Sequence, residues 1–143
     1  MQGFSFLPLE QFQLSENELS LKLERTSDRN SNEGYVPCYH FQILSHGKVA
    51  GKIRLRIGTE AELKTAGHIG YEVDPAYQGN RLAGRSCKLI LPIAKAHNLK
   101  AVWFIIAVAN KPSQKTATKL GAIKVETITI GGRKYRRRYK LDI

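Results

Sequence analysis

Residues 68–109 constrain the fold more than any other part of the chain. Residues 68–73 are typical of a short strand, which Asp74-Pro75 ends. Over residues 79–97 the apolar side chains recur at helical spacing, and residues 101–109 are almost wholly apolar, as a strand covered on both faces would be. The pattern therefore predicts a strand–helix–strand unit at the centre of an α/β fold.

Alternating apolar and polar residues add strands on either side of this unit. Residues 19–25, 35–45 and 49–57 predict three antiparallel strands, and residues 58–67 read as a connection in which a helical turn fits. Further on, a short helix near residues 112–120 precedes a hairpin of strands 122–130 and 134–142. We expect a single α/β domain over residues 1–143, with a mixed central sheet of six to seven strands flanked by helices on both faces.

Charge is the unusual bulk property of this chain. Its 143 residues carry a formal net charge of +11, which favours anionic partners such as a phosphorylated cofactor, an acidic substrate or nucleic acid. No apolar run is long enough for a membrane helix, and Met1-Gln2-Gly3 does not begin a secretory signal, so we expect a cytoplasmic protein without membrane contact. Cys38 and Cys87 lack the clustered partners of a metal site and are expected to be buried free thiols.

The segment from Gly70 to Gly84 carries the chemical signal. A strand ends at Asp74-Pro75, a short loop follows, and a helix rich in small residues begins. Such a helix start offers free backbone N–H groups and the positive end of the helix dipole, and both favour phosphate. Small residues here let phosphate oxygens reach the backbone, while Arg81 and Arg85 would add charged contacts.

Two linked motifs resemble those of the GNAT superfamily of acetyl-CoA-dependent N-acetyltransferases. The sequence Gln78-Gly79-Asn80-Arg81-Leu82-Ala83, after Asp-Pro-x-Tyr, is similar to the family's Arg/Gln-x-x-Gly-x-Gly/Ala motif. Asn110-Lys111-Pro112-Ser113 and then Leu120-Gly121 resemble its second signature. The resemblance covers about residues 36–130 and implies the GNAT fold, with acetyl-CoA or coenzyme A as cosubstrate and no metal.

The resemblance also implies roles for individual residues. Backbone groups of Tyr71, Glu72 and Val73 would pair with the pantetheine arm in a wedge where the two central strands separate, and an amide, that of Val73 above all, would donate to the thioester oxygen. The pyrophosphate and distal parts of coenzyme A would be contacted by Gln78, Gly79, Asn80, Arg81, Leu82, Ala83, Gly84, Arg85, Asn110 and Ser113.

Two departures from the family pattern bear on catalysis and binding. Arg81 occupies the place of the motif's central Gly, where it is tolerated with a helical φ but weakens binding if φ must be positive. Many family members place a Tyr, as general acid for the thiolate, where this chain has Ala117. That role then falls to water, to another side chain or to no group.

Three residues of the strand before the loop are candidate general bases or acids. Glu72, His68 and Tyr71 lie beside the expected thioester, and alternation puts His68 and Glu72 on one face and Tyr71 on the other. The structural alternatives are a salt bridge for Glu72, a packed or solvated histidine for His68 and a core aromatic for Tyr71.

The basic segment of residues 132–140 allows three interpretations. A solvated edge strand is favoured, recognition of an anionic acceptor comes next, and nucleic-acid binding is the least favoured. The short connection at residues 26–35 further suggests an open acceptor groove or one completed by a second subunit in a homodimer. Together these observations predict transfer of an acetyl group to a primary amine by direct attack, and the alternative is a non-catalytic module that binds coenzyme A or nucleic acid.

Overall fold

The computed structural model describes residues 4–132 and 134–143; Met1, Gln2, Gly3 and Arg133, which the expectations about targeting and the basic segment include, lie outside them. Two short 3-10 turns, Leu9–Gln11 and Pro75–Tyr77, accompany the regular elements. In chain order these elements are β1 Ser15–Glu16, β2 Leu19–Ser27, β3 Cys38–Ser45, β4 Lys48–Arg56, β5 Ile69–Val73, α1 Leu82–Ala96, β6 Ala101–Ala107, α2 Lys111–Leu120, β7 Ile123–Ile130 and β8 Lys134–Asp142.

The strands form two sheets that meet at one point. β1 to β5 make an antiparallel sheet in sequence order, and β6, β8 and β7 make a second antiparallel sheet with β8 in the middle. Between the sheets, the backbone N–H of His68 donates to the carbonyl of Trp103 at 2.9 Å. β5 and β6 therefore begin side by side and are not paired along their length.

Both α-helices pack on the same face. Alternation along β3 and β4 turns Tyr39, Phe41, Ile43 and Ile53 toward α1, and all four are almost completely buried. α2 contacts α1 and β6, and Gln114 of α2 accepts a hydrogen bond from Arg137 of β8 at 2.8 Å. The opposite face of the first sheet carries the turn segment 58–67, anchored by the buried Leu63.

The predicted α/β class and element order are confirmed, and some details differ. The sheet is divided in two and contains eight described strands instead of six to seven, and the described α-helices cover one face only. Residues 58–67 form a connection of turns, and the Leu63 N–H donates to the Thr59 carbonyl at 3.1 Å, so the helical turn that the sequence allowed is present without a regular helix. In the described parts of the chain, no helix is long and apolar enough to cross a membrane.

The interpretation of residues 132–140 as an edge strand is wrong. β8 is the middle strand of its sheet, with β6 on one side and β7 on the other. The Arg138 side chain is buried beneath Trp103, with its guanidinium carbon 4.1 Å from the ring centre, and it pairs with Glu126 at 2.9 Å and Glu60 at 3.3 Å. Its charge therefore stabilises the sheet instead of protecting an edge.

Candidate functional site

A cavity opens where β5 and β6 separate, and we call it the wedge. It has a volume of about 230 Å³ and lies between Gly70 and Tyr71 of β5 and the chain from Phe104 to Ala107 of β6. Its closed end is the contact between His68 and Trp103. This cavity lies where the resemblance to the family implied a wedge between two central strands.

The hydrogen-bond pattern of β5 decides which backbone groups face the wedge. Arg56 N–H donates to the carbonyl of His68 at 2.7 Å, and Asp74 N–H donates to Ala50 at 2.8 Å, so the even-numbered residues of β5 pair with β4. Because antiparallel pairing alternates, the N–H and C=O groups of Tyr71 and Val73 point away from β4, those of Tyr71 toward the wedge and those of Val73 toward the neighbouring loop cavity.

Two backbone groups that were predicted to bind the pantetheine arm have partners within the protein. The backbone of Glu72 faces β4, opposite Lys52, so the predicted backbone contact of Glu72 with a pantetheine arm is wrong. The carbonyl of Val73 accepts a hydrogen bond from the Gln78 side-chain amide at 3.2 Å.

Six consecutive backbone amides, those of residues 79–84, have no acceptor within the described residues. Leu82, Ala83 and Gly84 form the first turn of α1, where an α-helix cannot supply acceptors for its own N–H groups. A cavity of about 500 Å³, the loop cavity, is bordered by this segment, by the end of β5 and by the start of α2. Unpaired amides at a helix N-terminus form a binding site for phosphate oxygens.

The loop reaches α1 through two residues of positive φ. Gly79 has φ of 95°, and Arg81, immediately before the helix, has φ of 57° in the left-handed region. Glycine adopts this region freely, whereas an arginine pays about 1–2 kcal/mol. Arg81 therefore has the positive φ that strains its backbone, and not the helical φ that an arginine tolerates.

Arg85 is already engaged by carboxylates, and it donates to the loop carbonyl of Asn80 at 3.2 Å. Its guanidinium pairs with Glu16 at 2.7 Å and with Glu18 at 2.7 Å, which fastens α1 to the β1–β2 hairpin. The hydrogen bond from Arg85 lowers the pKa of Glu18 to about 2. Two carboxylates therefore already neutralise the Arg85 charge, and its phosphate contact stays a prediction.

The start of α2 completes the loop cavity. Asn110 caps this helix, and its side chain accepts the backbone N–H of Ser113 at 3.2 Å, as an N-cap residue does. Both residues line the wedge and the loop cavity, which makes the two spaces continuous. α1 packs on α2 at Gly84, where a Cβ would lie 3.6 Å from the Thr116 methyl, an ordinary van der Waals distance, so the packing does not require glycine.

The Tyr71 phenol lies between the two cavities. Its side chain lines both, and its hydroxyl is buried without a hydrogen-bond partner in the described structure. Burial raises the pKa of the phenol, and the nearby Ser113 hydroxyl offsets this only in part. The group therefore keeps its proton at neutral pH, close to the part of α2 that contains Ala117.

His68 is committed to a structural role and does not fit the role of a general base. It is 2% exposed, its Nδ1 accepts the backbone N–H of Trp103 at 3.1 Å, and its Nε2 lies 2.9 Å from the carbonyl of Gly58, to which it must donate. Burial lowers the pKa of the ring, and neither nitrogen is free to accept a proton.

Glu72 is held in an ion pair. Arg54 donates to both of its carboxylate oxygens, at 2.8 and 2.9 Å, and this interaction lowers the pKa of Glu72. The carboxylate is exposed at the sheet surface and is a weak base in this pairing. As predicted from alternation, His68 and Glu72 lie on one face of β5 and Tyr71 on the other.

A third cavity, to which no sequence motif pointed, is called the arginine cleft. It has a volume of about 510 Å³ on the face opposite the helices and is lined by Arg25, His40, Arg54, Arg56, Cys38 and Leu63, among others. Arg54, Arg56 and Ala66 also line the wedge, so the two spaces are connected. Alternation in β4 puts Arg54 and Arg56 on one face, whereas their neighbours depend on strand register.

The remaining reactive groups are not available. Cys87 is completely buried, which raises the pKa of its thiol to about 12, and Cys38 is a buried free thiol. In the residues that the structure describes, no three His, Cys, Asp or Glu side chains cluster as metal ligands would. Two cations of β8 are also engaged, because Arg137 bonds to Gln114 and Arg138 is buried.

Comparisons with known proteins agree with this geometry. The model of the acetyltransferase (GNAT) family matches residues 5–122. Similar solved structures include RimL, a ribosomal L7/L12 alpha-N-protein acetyltransferase in complex with coenzyme A, at 17% identity and a TM-score of 0.63 over 78% of this chain and 64% of that one. No curated protein matches the chain by sequence.

Two further structures are similar. The microcin C7 self immunity acetyltransferase MccE, in complex with acetyl-CoA and AMP, has 26% identity and a TM-score of 0.61 over 80% of this chain and 64% of that one. The ribosomal-protein-S5-alanine acetyltransferase from Vibrio fischeri has 23% identity and a TM-score of 0.61 over 73% of this chain and 61% of that one. In all three comparisons the matched region spans less than two thirds of the known protein's length.

Proposed function

Because the chain belongs to the acetyltransferase (GNAT) family, we propose that it is an N-acetyltransferase that transfers an acetyl group from acetyl-CoA to a primary amine. The observation that carries the proposal is the row of six amides at residues 79–84 that have no acceptor among the described residues. They lie next to a strand whose Tyr71 and Val73 backbone groups face the wedge and the adjoining loop cavity. Coenzyme A in the RimL complex and acetyl-CoA in the MccE complex support the same cosubstrate.

We assign the binding groups as follows. The diphosphate would be bound by the amides from Gly79 to Gly84, with Gln78 and Asn80 beside them and the Arg81 charge at the same rim. The pantetheine arm would pass Asn110 and Ser113 into the wedge and pair with Tyr71 and Val73. Acetyl-CoA supplies the activated acetyl group, and the amine attacks it directly, because both cysteines are buried thiols and supply no nucleophile.

The amides of Tyr71 and Val73 would donate to the thioester oxygen as it gains negative charge. We assign to the Tyr71 phenol the role of proton donor to the departing thiolate. Its hydroxyl is buried, protonated and without a hydrogen-bond partner among the described residues, and it lies beside the helix that has Ala117 where many family members have a tyrosine. The amine must be neutral when it attacks. With His68 and Glu72 both engaged, we assign removal of its proton to water that enters through the arginine cleft.

The finer statements about partners belong to the same proposal. The acceptor is an amine that carries negative charge, because arginines line the space on the far side of the wedge. A homodimer is supported by the outer strand β7, where Ile123 and Val125 are 70% and 51% exposed. A solution mass of one chain would remove the homodimer. We also propose a cytoplasmic location, in keeping with two free thiols.

Ala83→Pro tests the cofactor site directly. Proline is tolerated in the first helical turn, so this substitution removes one of the six free amides without removing a helix hydrogen bond. We expect the affinity for acetyl-CoA in calorimetry to fall about ten- to hundredfold, since hydrogen bonds to charged groups contribute about 1.5–3 kcal/mol. Ala83→Ser keeps the amide and is the matched control.

Two results would oppose the proposal. One is unchanged affinity of Ala83→Pro for acetyl-CoA. The other is a wild-type protein whose melting temperature rises with a short oligonucleotide and not with acetyl-CoA or coenzyme A, because a ligand that binds the native state stabilises it. Release of free coenzyme A across a panel of amines then measures turnover, and no release with any amine would favour a binding module.

A further inference from the structure

Two guanidinium groups converge on a position of β5 that has no side chain. A Cβ built on Gly70 would lie 3.2 Å from Nη2 of Arg54 and 3.5 Å from Nη1 of Arg56. Strand register produces this convergence, since Arg54 is paired directly with Gly70 and Arg56 follows two residues later on the same face. Like charges repel, so their approach over one point favours an anion between them.

The convergence has too little negative charge to balance it. Glu72 neutralises Arg54 in a two-point ion pair. Arg56 donates only to the carbonyls of Ala66 at 3.4 Å and Gly67 at 3.3 Å, which are long hydrogen bonds, and none of the described carboxylates lies within ion-pair distance of it. Burial lowers the pKa of the Arg56 guanidinium, as expected for a charge whose lost hydration is not replaced.

The rest of the arginine cleft has the same imbalance. Strand register places Arg25 opposite His40 and His40 opposite Arg54, so the three side chains share one face. Among the described residues Arg25 has no carboxylate partner, and it is therefore a second cation without a counter-charge on this face. Burial, followed by the charges of Arg25, Arg54 and Arg56, lowers the pKa of His40. Of the two carboxylates in the lining, Glu62 is paired with Arg29, and Glu33 lies in the loop at the cleft's edge.

We propose that Arg56, together with Arg54 and the open position at Gly70, binds an anionic group of the acceptor, a carboxylate or a phosphate close to the amine that is acetylated. Guanidinium groups bind both anions through paired N–H donors. The inference rests on the proposed function, and it places the anion on the acceptor because the site lies on the cleft side, away from the amides of residues 79–84. Since both arginines also line the wedge, an anion here lies beside the acetyl group.

The alternative is that Arg56 only holds the turn segment 58–67 through its two carbonyl contacts. An anion-binding experiment separates the two roles. With coenzyme A saturating, so that the phosphate site at residues 79–84 is filled, methyl phosphate and acetate are titrated in turn at constant ionic strength, and their dissociation constants are measured by calorimetry. The two anions distinguish a phosphate site from a carboxylate site.

Three variants accompany the wild type. Arg56→Gln removes the unpaired charge, and Lys88→Gln removes one exposed charge from α1 as the matched control. Gly70→Ala keeps every charge but puts a methyl group between the guanidiniums, and their flexible ends can move apart, so the variant is expected to fold. We expect at least one anion to bind the wild type and Lys88→Gln, and to bind Arg56→Gln and Gly70→Ala about ten- to hundredfold more weakly.

Acceptor kinetics give the second measurement. Peptide amines that differ only in Asp or Asn at the second position are compared, and we expect Arg56→Gln to reduce the preference for the acidic peptide about tenfold without changing the affinity for coenzyme A. Equal anion affinity in wild type and Arg56→Gln, or no anion binding to the wild type while coenzyme A binds, would overturn the anion site alone. Absence of coenzyme A binding would instead overturn the proposed function.

Discussion

His68 and Trp103 are joined by two hydrogen bonds that run in opposite directions. The backbone N–H of His68 donates to the carbonyl of Trp103 at 2.9 Å, and the backbone N–H of Trp103 donates to Nδ1 of His68 at 3.1 Å. They fasten β5 to β6 at the point beyond which the strands separate. The open wedge therefore depends on a fixed closed end, and a buried histidine provides it.

Replacing this histidine should reduce stability. His68→Leu leaves the Trp103 N–H and the Gly58 carbonyl buried without partners, and each unsatisfied group costs about 1–3 kcal/mol. We expect the free energy of unfolding in urea to fall by about 2 kcal/mol or more. Loss of turnover with an unchanged free energy of unfolding would contradict the structural role and restore His68 as a candidate base.

Arg81→Gly should stabilise the protein. The wild-type arginine has φ of 57°, which costs about 1–2 kcal/mol, and the greater freedom of glycine in the unfolded chain offsets part of the gain. We expect a net increase of about 0.5–1 kcal/mol in the free energy of unfolding. Arg81→Ala is the control, because it removes the same charge and keeps the strain. Equal stability of the two variants would exclude backbone strain at this position.

Tyr71→Phe should raise stability and lower turnover together. Removing a buried hydroxyl without a partner should increase the free energy of unfolding by about 1 kcal/mol, whereas loss of a general acid should lower kcat by about a hundredfold or more. The affinity for coenzyme A, measured by calorimetry, should change little. A variant with wild-type kcat would remove the proton-donor role, and a variant less stable than wild type would indicate a hydrogen bond to the phenol.

Mild acid should destabilise the fold through three histidines. Burial lowers the pKa values of His40, His68 and His97 below the usual value of about 6.5, so the unfolded chain binds protons first as the pH falls. Stability should be full above about pH 7.5, fall through pH 6.5 and level off below the folded-state pKa values. The slope is at most about 1.4 kcal/mol per pH unit for each histidine.

Urea unfolding at a series of pH values and constant ionic strength measures this slope. His97→Gln should reduce it, because it removes one of the three groups. A free energy of unfolding that does not change between pH 7.5 and 5.5 would contradict the prediction. The carboxylates do not mask the effect, since the Arg85 contact lowers the pKa of Glu18 to about 2 and its contribution is lost only at lower pH.

The sequence predicted the elements well where local patterns decide them. Neighbouring residues alone determine three features: the apolar face of α1 with Cys87 and Ile90, the hairpin turn at Gly131-Gly132, and the loop after Asp74. It was wrong about β8 because strand order is not a local property. Whether the arginines of residues 134–142 protect an edge or lie inside a sheet depends on β6, some thirty residues earlier in the chain.

Long-range contacts also decided the roles of individual side chains and backbone groups. The sequence predicted a phosphate contact for Arg85, whereas the carboxylates that neutralise it, Glu16 and Glu18, lie nearly seventy residues away in sequence. The resemblance implied that the Glu72 backbone binds the pantetheine arm, but the pairing of β5 with β4 determines which amides of β5 face the wedge. The cleft around Arg56 had no signal in any short motif.

The sequence by itself determined the order of strands and helices, the family, and the loop of small residues that precedes α1. These follow from periodicity and from conformational preferences that extend over only a few residues. Only the tertiary structure decided that Gly70 lies beneath two guanidiniums and that the free amides expected at the helix start extend over six residues of the described chain. The reason is that strand register and long-range contacts determine which polar groups have partners, and a polar group without a partner is one that a ligand can bind.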